Sequence, residues 1–367
     1  MLHATNDDAG AQPTSGEGVI RMCSGAAGDE ARRARRFARI MAVFAALTAL
    51  AALGALMAGA YGIGAGDVFK ALLAPVTGDE PARSIMNVVW NVRLPRIVLA
   101  LLAGAGLAAA GAAFQALFAN PLASPDTLGV ATGASFGAVL GILWGFPALG
   151  IQLAALASGL IAVAAVLAIA RARDGSASIL MIILAGMVVG ALFTALVGLV
   201  KYVADPQDVL PSITFWLMGS LTGASMQSLA AGVGPMIVGA AALWLMRWRL
   251  NAASLSPDEA KSLGISVPRL RAAVIAAATL ITASVVSMCG LIGWVGLLVP
   301  HAARMLFGAN NRFVMPGSLM LGALFMLVID TAARTLTESE IPVSILTAVV
   351  GAPFFIWLLR RTGGLSN

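Results

Sequence analysis

A chain of 367 residues that is 59% hydrophobic and only 11% charged, with a mean hydropathy of +0.92, is not a water-soluble domain, for which about 25% charged residues is usual. No stretch alternates apolar and polar residues as a membrane barrel requires. The fold class is therefore an all-α polytopic membrane protein.

In chain order, residues 1–36 are polar and rich in Gly, Ala and Arg, without periodicity, and are expected to form a disordered cytoplasmic tail. This is too long for the n-region of a cleaved signal peptide, so the first apolar segment reads as a retained anchor; Met22 is a second candidate start. Ten apolar segments follow, at 37–60, 94–118, 127–145, 149–170, 179–201, 231–249, 270–289, 293–307, 313–333 and 342–359. They define one transmembrane domain, 37–362, with 363–367 as a C-terminal tail.

Ten crossings put both termini on one side. With that side cytoplasmic, seventeen Lys and Arg fall inside and six outside, namely Lys70, Arg83, Arg93, Arg96, Lys201 and Arg334. The pI near 10.1 therefore follows from topology, and nucleic acid is not an expected partner. Arg93 and Arg96 in "NVRLPRIVLALLAGAG", with Arg334, gather on the side where positive charge is sparse. Arginine's planar fork suits carboxylates, so an acidic soluble partner is expected there; snorkelling to the interface is the plainer alternative.

"QALFANPLASPDTLG" places Gln115, Asn120, Pro121, Ser124, Pro125 and Asp126 between two apolar helices. Two readings stand: a cytoplasmic turn, or a re-entrant turn at the inner mouth of a pathway, since irregular backbone at membrane depth survives only when covered by protein or facing a cavity. Gly129, Gly133, Gly137 and Gly141 recur every fourth residue, a bare face for close helix packing. "GASFG" around Ser135 matches a hydrolase nucleophile pattern by chance, because it lies within a helix rather than on a strand-to-helix elbow.

The loop 247–271 is the largest inner polar insertion. Within it "SPDEAKSLG" reads as a doubly capped short helix: Ser256 as N-cap, Pro257 first, Asp258 and Glu259 in the opening turn, Ala260 and Leu263 on one face, Gly264 as stop. Such a helix is expected to dock on a cytosolic partner. Asp330, four residues before Arg334, is expected to form a helix-end ion pair with it.

No P-loop occurs, so an ATP-driven process would place the ATPase on another polypeptide. Cys23 and Cys289 fall on opposite sides, and two His and two Cys give no metal-site spacing. No cofactor or metal is expected on this chain. Segments opening at "RLPR" and "VPRLR" begin five spans apart and so insert in opposite orientations, as in inverted-repeat transporters.

"RLPRIVLALLAGAGLAAAGAAFQALFANPLASPDTLGVATGAS", "FWLMGSL", "SPDEAKSLGI", "GLIGWVGLLVPHAARMLFG" and "SEIPVSILTAVVGAPFFIWLL" resemble, in this order, the motifs of the FecCD permease family, over about residues 40–362. The resemblance implies ten helices in the type II ABC importer architecture, in the bacterial inner membrane. It implies a second permease subunit, expected to be identical, two cytosolic ABC ATPase subunits that bind ATP and magnesium, and a periplasmic substrate-binding protein. It further implies that Arg93, Arg96 and Arg334 meet the binding protein's glutamates and that the 256–271 region couples to the ATPase. Trp294 stands where Phe is usual, and Ser344 where Gly is common. "NPLASPDTLG" and "FWLMGSL" resemble the ferric-chelate branch more than the cobalamin or haem branches, so a ferric siderophore is the expected cargo, with haem, cobalamin or molybdate as alternatives. An ion-coupled secondary transporter and an intramembrane serine hydrolase are the competing classes.

Overall fold

The computed structural model describes residues 15–59, 61–78, 81–170, 178–255 and 257–361. In order these form α1 (Ser15–Met57), α2 (Ala65–Thr77), α3 (Arg83–Asn87), α4 (Leu94–Leu117), α5 (Val130–Leu143), α6 (Ala148–Ala170), α7 (Ile179–Val203) and α8 (Val209–Leu217). Then come α9 (Met226–Met246), α10 (Pro257–Ser262), α11 (Val267–Cys289), α12 (Val295–Phe307), α13 (Asn311–Ala333) and α14 (Val343–Arg361). A π turn, Val88–Arg93, joins α3 to α4, and 3-10 turns at Pro125–Leu128 and Arg249–Ser254 precede α5 and α10. Among the described residues there is no strand.

The chain divides into two compact units, Met1–Val43 and Phe44–Asn367. In the first, α1 begins at Ser15, within the stretch expected to be irregular. The correction has a local cause: "EARRARRFAR" consists almost wholly of strong helix formers. Residues 1–14 and 363–367, parts of the two expected tails, lie outside the described residues.

Among the described residues seven helices are long and apolar enough to cross a membrane, and they coincide with seven of the ten expected segments. The remaining three correspond to the shorter apolar helices Val130–Leu143, Val295–Phe307 and Val343–Trp357. At 14 and 13 residues, α5 and α12 reach about 20 Å at 1.5 Å per residue, short of the ~30 Å hydrocarbon core. Each is short for the same reason: the chain turns back inside the bundle just before it. The outer helices α2 and α8 were not among the expected segments; both are brief and carry proline (Pro75, Pro211).

Burial identifies the central helices. The apolar windows of the α4 and α11 spans are 78% and 72% buried, against 33%, 28% and 28% for α6, α7 and α9. Small residues make α4 central, since helices in lipid associate by close packing rather than by expelling water. Where α4 crosses α13, a Cβ added at Gly104 would lie 2.1 Å from the Gly322 carbonyl oxygen.

Candidate functional site

At the end of the bundle expected to face outward, where positive charge is sparse, α4 begins from the π turn. Leu94 N–H reaches back to Val89 O, and Pro95, next in line, has no N–H to give; widening the turn relieves the clash of its ring with the preceding carbonyls. This start delivers Arg93 and Arg96 into the interior, 3% and 6% exposed. Arg93 donates to Leu56 O, Met57 O and Tyr61 O. Arg334 donates to Ala58 O at 2.8 Å and to Ala55 O. Two guanidinium groups thus cap the carbonyls left open at the end of α1, where the helix dipole also favours cations.

Arg96 works both edges of its fork. Its Nε donates to Asp330 Oδ1 at 2.9 Å, and its Nη1 to Glu340 Oε1 at 2.8 Å. Glu340 Oε2 in turn accepts from the Thr222 hydroxyl at 2.8 Å. Burial alone would raise the Glu340 carboxyl pKa, but the Arg96 hydrogen bond and charge, the Thr222 hydroxyl and the Arg334 charge together hold it below the ordinary value. Arg334 Nε lies 3.8 Å from Asp330 Oδ2, so the expected i,i+4 pair is present, but the closer partner of Asp330 is Arg96. Arg93, Arg96 and Arg334, expected to meet an acidic soluble partner, find their hydrogen-bond acceptors within this chain. They point inward and tie α1, α4, α13 and the 334–342 segment together.

The segment "ANPLASPDTLG" climbs back into the bundle rather than closing as a surface turn. Asn120 and Pro121 are exposed, with Asn120 Oδ1 accepting from Leu122 N–H, whereas Pro125 and Leu128 are buried. Gly129, at φ +68°, turns the chain into α5 against α7, and a Cβ on Gly186 of α7 would stand 2.3 Å from Thr127 O. Gln115 joins α4 to α12: its Nε2 donates to Leu297 O at 3.0 Å, and its Oε1 accepts from Arg304 Nε at 3.3 Å.

A matching break descends from the outer end after α11. Cys289 O accepts from Ser220 N–H, which keeps this end near Thr222 and the arginine cluster. Gly290 at φ +71° and Trp294, also at φ +71°, shape the descent. Trp294 is held in this left-handed conformation by packing of its indole against Gly351 and edge-on to Phe355 of α14, ring centroids 6.4 Å apart.

The two breaks meet beside the middle of α4. A Cβ on Gly296 would lie 3.1 Å from both Leu107 O and Pro125 Cδ, and one on Gly111 would lie 1.8 Å from Gly296 O. Between them is a cavity of about 240 Å³, lined by Leu107, Ser124, Pro125, Asp126, Ile292, Gly293, Trp294, Gly296 and Leu297. A second cavity of about 420 Å³, rich in hydroxyls, opens among the α5–α6 turn, α8 and the 220–228 segment.

At the inner end, α10 closes as expected on Gly264 at φ +73°, with Ile265 N–H to Ala260 O and Gly264 N–H to Lys261 O. Ala260 and Leu263 do not share one presented face: Ala260 is fully buried and Leu263 is 64% exposed. The closing turn tucks Ala260 against the chain and leaves Leu263 outward. Ser256, the expected N-cap, lies outside the described residues. Beside this loop Arg312 lies over the Trp248 ring at 4.5 Å and Arg247 over the Trp244 ring at 4.6 Å.

The glycine repeat packs α5 on α6. A Cβ at Gly137 would lie 2.2 Å from Ala154 O, one at Gly133 2.5 Å from Ala162 Cβ, and one at Gly141 3.2 Å from Ile151 Cα. Ser135 donates to Ala131 O within α5 and has no elbow geometry. Among the described residues no three His, Cys, Asp or Glu side chains are grouped to hold a metal ion.

The sequence profile of the FecCD transport family matches residues 46–361. The molybdate import system permease protein MolB of Haemophilus influenzae is 40% identical over 308 residues, covering 83% of this chain and 91% of that protein. A Helicobacter pylori protein named as a probable iron chelatin transport system permease is 39% identical over 287 residues, 78% of this chain and 86% of that protein. A solved inward-facing structure, described as an ABC transporter of metal-chelate type, superposes with TM-score 0.79 at 38% identity, over 88% of this chain and 99% of that one. With the all-helical bundle, its paired breaks and this match over most of the sequence, the chain belongs to the FecCD transport family.

Proposed function

We propose that this chain is one of two identical permease subunits of an importer in a bacterial inner membrane that moves a ferric siderophore or similar iron chelate from a periplasmic binding protein to the cytoplasm. As a FecCD-family protein it is a membrane-embedded, multi-pass ABC transporter permease with no catalytic activity of its own. ATP hydrolysis belongs to two partner ATPases. The observation that carries the mechanism is the meeting of the two breaks beside Leu107: one rises from the inner end and one descends from the outer end. Non-helical backbone at membrane depth fits a pathway that opens alternately to either side.

The exposed apolar faces of α7 (Val188 65%, Leu192 56%) and α14 (Val349 63%, Ile356 54%) suit the second copy. The outer end, framed by the arginine cluster, receives the binding protein; α10, presenting Leu263, receives the ATPase. Ten crossings complete this topology, with both termini cytoplasmic. Likeness to the iron chelatin and metal-chelate proteins supports iron chelate as cargo, while the likeness to MolB favours molybdate as a second reading. Uptake of radioiron-loaded siderophore, haem, cobalamin and molybdate by cells lacking this chain, with and without complementation, tests the proposal. Restored siderophore uptake is expected; restoration of molybdate alone would replace the main reading with the second.

A further inference from the structure

Among the described residues the chamber between the two breaks has one ionisable lining residue, Asp126; the other lining residues are apolar, glycine, Ser124 or Trp294. Asp126 is exposed, and among the described residues its carboxylate has no hydrogen-bond or ion-pair partner. The nearest structural use of this residue is its backbone oxygen, which accepts from Gly129 N–H and closes the 3-10 turn. A carboxylate that the fold uses in no hydrogen bond or ion pair, on the wall of a cavity beside the middle of α4, is free to act on what passes there. At about 240 Å³ the chamber is a niche, below the ~300–1,000 Å³ of a complete small-molecule site. It is therefore a contact point beside a larger path.

Its chemistry is specific. A carboxylate attracts positive charge and repels anions. The indole of Trp294 adds a surface that favours cations, and Leu107, Ile292 and Leu297 add apolar contact. We propose that Asp126 is a specificity-determining residue that selects cargo by charge, admitting neutral or cationic chelates with an apolar body and opposing free oxyanions. This rests on the importer reading above and narrows it: the free ammonium end of a ferric trihydroxamate suits this contact point, and the molybdate anion does not.

The test is independent of cargo. In membranes carrying the full chain with Cys23→Ser and Cys289→Ala, a single cysteine is introduced by Ser124→Cys or, separately, by Gly293→Cys, where a Cβ meets no atom within 4 Å. Each is labelled with a cationic trimethylammonium-ethyl and an anionic sulfonatoethyl methanethiosulfonate. With Asp126 present, the cationic reagent should be favoured by about tenfold or more beyond its ratio on a simple thiol, and Asp126→Asn should abolish that excess. The same ratio with Asp126 and with Asn, or no labelling at either cysteine, overturns the proposal. Uptake gives a second arm: Asp126→Asn should lower transport of the ammonium-bearing ferric trihydroxamate more than that of a neutral one, and equal effects count against the proposal. Failure of the unmodified chain to transport any chelate would instead contradict the importer reading, while the labelling ratio would still report on Asp126.

Discussion

Arg96 and Asp330 are 234 residues apart in sequence, yet their side chains meet at 2.9 Å with only 8% and 0% of their surfaces exposed. The pair joins the start of α4 to the end of α13. Removing one member strands the other as an uncompensated buried charge, which costs about 3–5 kcal/mol, whereas replacing both with apolar residues is often neutral. Arg96→Ala should therefore lower the midpoint of thermal unfolding of the purified protein markedly, and Arg96→Met with Asp330→Leu should recover most of the loss. Unchanged stability in Arg96→Ala, with transport lost, would return this arginine to partner docking.

Glu340 gives the outer cluster a pH dependence whose sign is fixed. Its carboxyl pKa in the folded protein lies below the ordinary value, so its stabilising contribution is complete above the unfolded carboxyl pKa and is lost as pH falls through the folded one. Opening of the 334–342 segment, read as the hydrogen-exchange rate divided by the intrinsic amide rate at each pH, should rise on acidification in the native protein. In Glu340→Gln it should already be raised at neutral pH and respond less to acid; identical pH profiles for the two would remove Glu340 from the account.

Close helix crossings predict a graded glycine series. A Cβ at Gly111 would lie 1.8 Å from Gly296 O and one at Gly104 2.1 Å from Gly322 O, whereas one at Gly198 meets no atom within 4 Å. Overpacking costs about 1–3 kcal/mol or more when backbone must move. Gly111→Ala and Gly104→Ala should reduce the yield and thermal midpoint of folded protein; Gly198→Ala should leave both unchanged or improve them slightly. Equal behaviour of the three would contradict the packing described.

The two apolar residues of α10 should separate in phenotype. Leu263→Asp leaves the fold intact but spoils the presented contact, so transport should fall several-fold at normal protein level. Ala260→Asp buries a charge and should lower the amount of folded protein itself. Immunoblotting beside uptake distinguishes them.

Hydropathy was enough to anticipate the apolar helices, seven of which among the described residues are long enough to cross a membrane, and glycine at every fourth residue was enough to anticipate a close backbone approach on α5, which α6 makes. The arginine cluster was visible only as residue types on the sparse side. Its partners, Leu56 O, Ala58 O and Glu340, lie far from Arg93, Arg96 and Arg334 in sequence, and a backbone carbonyl leaves no sequence signal. The prolines and asparagine of 120–125 permitted either a surface turn or a re-entrant one. The choice was made by tertiary contacts of Pro125 and Leu128 with Gly296 and α7, which no local pattern records. For Ala260 and Leu263, helical spacing placed both on one face, but a helix ending in a left-handed glycine within one turn turns one inward and the other out.

The central claim, an ATP-driven permease with the pathway between its two breaks, is tested most directly by the energy source of uptake. Cells carrying only this permease system are loaded with radioiron-siderophore and treated either with arsenate, which depletes ATP, or with a protonophore under conditions that preserve ATP. The account predicts that arsenate abolishes uptake and that the protonophore leaves most of it; loss with the protonophore at undiminished ATP would contradict it and restore an ion-coupled transporter.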